Sequence, residues 1–204
     1  MKTPEVTFKD NWFKGGTTYD DARDIKTREK LARTDIENAI LDGIARAKTG
    51  LTPLNEILKK KKRKNKISAW KNNALLVEYF GKKKIKPRHI KAVRRRLRRS
   101  KKRLEEKKLK LTIKKQSDAP KSSFIALNRG AFFSPNSFVI FATWFDKSAV
   151  HQATNLIHEL LHDWLTDKKI DGKYARSQAQ ARKLAKKKPR KARRNPSNFQ
   201  YYCY

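Results

Sequence analysis

Apolar residues recur along this chain in two rhythms, helical through most of its length and strand-like in one short stretch. Residues 1–23 show neither and read as irregular, with Gly15-Gly16 and the aromatic pair Trp12-Phe13 as a docking point. From Asp24 to Thr49, Leu31, Ile36, Ile40, Leu41 and Ile44 keep a helical period, and Gly50 supplies a stop. Pro53–Leu58 begins a short helix that dissolves into the basic run Lys59–Lys66, an expected exposed loop. Ile67–Phe80 predicts a second long helix, apolar at Trp70, Ala74, Leu75 and Tyr79 and closed by Gly81. Pro87–Leu109 predicts a third, very basic, with a thin apolar face of Ile90, Val93, Leu97 and Leu104.

After the turn-rich connector Ser117–Ser122 the character changes. Phe124–Leu127 and Ser137–Thr143 are short β-branched or aromatic runs bounded by Gly130 and Ser134-Pro135-Asn136, and read as paired strands. A helix follows over 148–165, with Ala149, Ala153, Leu156, Ile157, Leu160, Leu161 and Trp164 on its apolar side, then a loop and a helix near Arg176–Lys187. The aromatic end Phe199–Tyr204 is expected to pack as a lid on the core. No internal repeat is evident. These elements imply an α+β fold, mainly helical with a small antiparallel sheet. One domain is expected over 24–204, with a helical part at 24–116 and the chemistry at 120–204.

Charge alters this picture more than size does. Fifty-three basic residues oppose 19 acidic ones in 204, a formal net charge of +34, while 37% hydrophobic content suffices for one core if the cations stay outside. Lys59–Lys66, Arg94–Arg103 and Lys183–Arg194 are each able to contact phosphates, so nonspecific polyanion binding is expected. No zinc-finger spacing, ribonucleoprotein aromatic signature or homeodomain helix accompanies them. The single cysteine, Cys203, excludes an internal disulfide. Met1–Lys9 has no apolar run of a secretory signal, and no stretch approaches a membrane span. The expected location is the producer's cytoplasm, or outside it by a non-classical route.

The chemistry lies in His158-Glu159-Leu160-Leu161-His162. At 3.6 residues per turn the two histidines share one helix face, so both imidazoles can hold one zinc ion from the same side. Glu159, beside the first ligand, can reach a water on that metal without binding the metal itself. With only four histidines in the chain (His89, His151, His158, His162), a chance match is improbable. The apolar residues leave the histidines and Glu159 on the other side of the helix, a polar stripe facing a cleft. His151, about 10 Å along the axis from His158, is too far to share its metal and is assigned a surface or supporting position.

Catalytic zinc generally takes three protein ligands and keeps a position for water. Neither histidine nor glutamate occurs after His162, leaving Asp163, Asp167, Asp171 and, as a sulfur outsider, Cys203. Asp163 points about 100° away around the helix. Asp167 would have to curl back sharply. Asp171, just before Gly172, suits a chain that turns back under the metal, and is the expected third ligand.

His158–His162 followed by Asp171-Gly172-Lys173-Tyr174 resembles the deuterolysin and peptidyl-lysine metalloendopeptidase family, the aspzincins. The likeness continues through Leu184-Ala185, Pro189, Ala192 and Asn195–Tyr202, which resemble the family's L-A…P…A…N-A-D-x-Y-x-Y-F ending, and more weakly through Leu75–Gly81 and Phe138–Phe145. The resemblance implies a zincin-like fold and a single catalytic Zn2+ held by His158, His162 and Asp171. It further implies Glu159 as the base acting on water, and Tyr174 as a hydroxyl donor to the oxyanion. The substrate would be a protein or peptide, its backbone held by one of the two strands beside the helix.

Departures qualify this. Lys168, Lys169 and Ala175 stand where the family has Gly-Thr before the aspartate and Gly after the tyrosine. Ser197 and Gln200 replace the acidic residues associated with choosing lysine, so lysine specificity is not expected. The compact unit also suits a toxin or effector peptidase, with any inhibitor or immunity protein left open. The reading from another class is a basic nucleic-acid-associated protein in which zinc is structural or absent.

Overall fold

A computed structural model describes residues 4–19, 24–106, 109–120, 126–128, 137–165 and 177–204. Helix α1 spans Ile25–Lys59, begun by Asp24, whose side chain accepts from the Thr27 N–H at 3.0 Å. It runs through Gly50 and Pro53, where the sequence suggests a break. Its buried positions explain why: Ala32, Ile36, Ala39, Ile40, Gly43, Ala47, Gly50, Leu51, Leu54 and Ile57 form one uninterrupted stripe of small and apolar residues. Leu31 and Leu41, expected on that stripe, are exposed, and alanines take their place. Gly50 is a point of contact. A Cβ there would lie 2.9 Å from Tyr202 Cε1, and the Tyr202 hydroxyl donates to the Gly50 carbonyl at 2.7 Å.

The single helix expected over Ile67–Phe80 is two, α2 (Arg63–Lys71) and α3 (Ala74–Phe80). Asn73 causes the break: its side-chain oxygen accepts from the Leu76 N–H at 2.9 Å, offering the backbone a new start in competition with continuation. Only Lys60–Lys62 of the basic run remain outside a helix. Helix α4 spans Pro87–Glu105 and packs on α1 with Ile90, Val93, Leu97, Ser100 and Leu104.

The sheet corrects the antiparallel expectation. Its strands are β1 (Glu5–Phe8), β2 (Lys110–Lys114), β3 (Ala126–Asn128) and β4 (Ser137–Phe141), in the order β1-β2-β4-β3. β3 and β4 pair antiparallel, with Leu127 opposite Val139, but β1, β2 and β4 are mutually parallel. Both unforeseen strands are four or five residues long, β1 inside the stretch read as irregular and β2 hard against the basic helix. Parallel neighbours need a long crossover, and α1–α4 provide it between β1 and β2. Trp12 anchors the N-terminal segment, buried against Phe8, Tyr19 and Phe145. The Thr17 and Thr18 N–H groups donate to Asp146 at 2.9 and 2.8 Å.

Among the described residues that follow are the helices α5 (Ala149–His162), α6 (Gln178–Lys187), α7 (Pro189–Ala192) and α8 (Pro196–Tyr202). The aromatic end is more than a lid, because α8 is buried on nearly every side and packs on α3, α5 and α6. Asn198 fastens it, donating to the carbonyls of Tyr79 (2.7 Å) and Ala181 (2.9 Å). Replacing Asn198 with alanine removes the side-chain donor from two buried carbonyls and is expected to destabilise the protein by about 2–3 kcal/mol, read as the shift of the urea midpoint.

Candidate metal centre

Helix α5 starts at Ser148, whose hydroxyl accepts from the His151 N–H at 3.4 Å. It packs on α1, α4, α8 and the edge strand β3, so nearly all its surface is enclosed. Enclosure extends to polar side chains. Gln152, Thr154, Asn155 and Glu159 are buried, and Gln152 donates to the carbonyls of Trp144 and Phe145, each at 3.2 Å.

His158 and His162 are half-buried, one turn apart, with Nε2 atoms 3.1 Å from each other and ring planes at 68°. Two nitrogens on one tetrahedral zinc at 2.0–2.1 Å would lie about 3.3 Å apart. The pair therefore fits a shared metal with almost no movement. Burial lowers both pKa values, His162 to about 4 and His158 well below the ordinary 6.5, where the neighbouring His162 adds to the effect. At neutral pH both rings are uncharged, the form that binds metal.

Of the neighbouring side chains, Gln200 acts on His158. A histidine that coordinates through Nε2 carries a proton on Nδ1 that needs an acceptor. His158 Nδ1 is buried without a hydrogen bond of ordinary geometry, as is Asn155 Oδ1, one turn earlier on the same helix. The Gln200 amide on α8 acts on His158 in the opposite sense to burial, favouring the protonated ring. Asn155 escaped the sequence reading, although 151, 155, 158 and 162 form one helical row. Gln200 was noted only for its missing charge; its approach to His158 depends on how α8 docks.

The remaining candidates divide cleanly. Glu159 is buried on α5, within the same helical turn as the histidines. His151 is half-buried against the Tyr204 ring, 6.3 Å between centroids. Asp163 caps the end of α5. Cys203 is buried, with its thiol pushed up to about 12 by desolvation, which disfavours the thiolate a metal needs. Among the described residues no cluster of three or more histidine, cysteine, aspartate or glutamate side chains gathers. Asp167, Asp171 and Tyr174 lie outside the described residues.

The profile of the aspzincin family, described as lysine-specific metallo-endopeptidase, matches residues 65–204. No curated protein matches the chain.

The histidine shifts have a consequence for the zinc-free protein. Between their folded values and the ordinary 6.5, the unfolded chain binds more protons than the folded one, so stability rises with pH across that window. Acidification from pH 6.5 towards 4 is expected to remove stability by up to about 1.4 kcal/mol per pH unit for each ring. Urea unfolding of the zinc-free protein and of His162→Asn, compared from pH 7 to pH 5, checks this: the variant should show the shallower slope.

Proposed function

Since the chain belongs to the aspzincin family of metallo-endopeptidases, we propose that it hydrolyses internal peptide bonds with His158, His162 and Asp171 as the ligands of one zinc ion. The observation that carries this reading is the 3.1 Å approach of two neutral imidazole nitrogens on a helix that also buries Glu159. When bound, zinc supplies Lewis acidity, which brings the pKa of water towards neutrality and polarises a carbonyl. Glu159 takes a proton from the attacking water and delivers it to the departing amine. Its burial favours this task, because a carboxylate shielded from bulk water exchanges its proton with the reactants. Tyr174 donates its hydroxyl to the oxygen on which charge develops. The family's Gly-Thr is replaced here by Lys168 and Lys169, so the segment bearing Asp171 carries extra positive charge.

Substrate alignment follows from the sheet. β3 occupies one end of the strand order and contacts α5, so a peptide laid along its outer side would add an antiparallel or parallel strand beside the helix that carries the histidines. Main-chain hydrogen bonds of this kind hold a substrate extended with little regard for its side chains. For side-chain choice, Ser197 and Gln200 are both buried and uncharged on α8. A lysine ammonium would meet no carboxylate at either position, and we infer cleavage without a preference for lysine.

Glu159→Gln is expected to retain stoichiometric zinc, measured by elemental analysis, and to lose peptide cleavage by about 10²–10⁴-fold. A fully active variant would refute the assigned base. Asp171→Ala should lose both zinc and activity. Digestion of a mixed peptide library, with cleavage sites read by mass spectrometry, tests specificity; enrichment for lysine would overturn the inference from Ser197 and Gln200.

A further inference from the structure

Helix α4 has two faces of opposite character. Ile90, Val93, Leu97, Ser100 and Leu104 are buried on its inner side. Arg88, Lys91, Arg95, Arg98 and Lys102 are exposed on its outer side. Their spacing of three and four residues aligns them in one row about 21 Å long. The carboxylates that pair with α4 cluster at its C-terminal end, where Lys101 meets Glu105 and Lys102 and Arg103 meet Glu106. Among the described residues no carboxylate pairs with Arg88, Lys91, Arg95 or Arg98.

A second element adds charge to the same region. Arg96 donates to the Arg193 carbonyl at 2.7 Å, which fastens the turn after α7 to α4 and brings exposed Arg194 alongside. Burial pulls Arg96 down to about 10, with Arg194 and Arg95 contributing by repulsion. Among the described residues, Arg95, Arg96 and Arg194 are thus held within range of one another with no carboxylate paired to them. Such an arrangement stores repulsion that an external anion relieves.

We propose that the outer face of α4, flanked by Arg194, is a docking surface for the phosphodiester backbone of duplex nucleic acid, bound without regard to base sequence. Arginine predominates in the row, and its planar fork matches phosphate oxygens bidentately. A duplex presents one charge per about 1.7 Å of axis, so a straight cationic row finds continuous partners. Among the described residues the exposed large apolar ones are Ile25, Leu31, Leu41, Leu75 and Tyr204, none of them on α4 or α7. The face therefore lacks the apolar wedge of a membrane-inserting helix, the stacking platform of a single-strand binder and the apolar centre of a protein interface. Because α4 turns its other side to α1 and α5, docking on the outer face does not involve α5 and is independent of the peptidase reading.

The test must separate this face from the bulk charge of +34. Binding of a labelled 20-base-pair duplex of arbitrary sequence is measured by fluorescence anisotropy between about 50 and 300 mM NaCl. The proteins compared are wild type, R88Q/R95Q/R98Q, and the charge-matched control K60Q/K61Q/K62Q on the exposed loop between α1 and α2. The α4 variant is expected to bind at least about 10-fold more weakly at 150 mM salt, with a log–log salt slope reduced by about 2 to 3. The control should stay within about 2-fold of wild type. R98E alone should weaken binding in the same direction, and Glu159→Gln should leave it unchanged. Equal losses in the two triple variants would show diffuse attraction and overturn the proposal. Tighter binding to phosphatidylserine vesicles or to polyglutamate than to duplex, at matched anion concentration, would also overturn it.

Discussion

Close approach of helices at two glycines of α1 governs the rest of the molecule. A side chain at Gly43 would stand 3.2 Å from the Ala153 carbonyl of α5 and 3.1 Å from Leu104 of α4. One at Gly50 would press on Tyr202 of α8 and Leu97 of α4. Interiors pack at crystal-like density, so a gap opened at either point would move whole helices. Through these two contacts α1 sets the positions of α4, α5 and α8 together, and with them the surroundings of both histidines. Glycine in a helix interior is unfavourable by itself; here the packing it permits outweighs that loss.

Electrostatics on this scaffold sorts by depth. The cations of a highly basic chain occupy mainly outer helix faces, where water screens them, and among the titratable groups inside, two imidazoles are neutral and one arginine is tied to a main-chain carbonyl. Buried Arg193 illustrates the second case, donating to the Phe80 carbonyl at 3.1 Å. Arg46 does the same at the chain end, reaching the Tyr204 carbonyl at 2.7 Å. His158 and His162 illustrate the first case, since desolvation opposes charge on either ring. Both rings are thereby held in the uncharged form, the one in which an imidazole can coordinate a metal.

The C-terminal helix links fold and chemistry. α8 reaches α3 and α6 through Asn198, α1 through Tyr202 and α5 through packing near His158. Gln200 and Ser197 sit on this rigid element. Side chains on a helix fixed at three points hold position better than those on a loop, and Gln200 is held beside His158 in this way.

Much of this was legible in the linear chain. The one-turn spacing of His158 and His162 follows from local helix geometry, and the apolar period that makes Ala149–His162 a helix is equally local. The thin apolar face of α4 was also readable, because Ile90, Val93, Leu97 and Leu104 repeat at helical spacing. What misled were residues whose meaning is set by distant partners. Gly50 looks like a stop until Tyr202 lies across it, and Asn73 looks like an ordinary polar position until it caps α3. Glu5–Phe8 and Lys110–Lys114 look too short for strands until they find each other across more than a hundred residues. Gln200 gains its relation to His158 only when α8 docks on α5. Periodicity reports which face of an element is apolar; pairing and contact are decided by which other surface covers that face, and that depends on the whole chain at once.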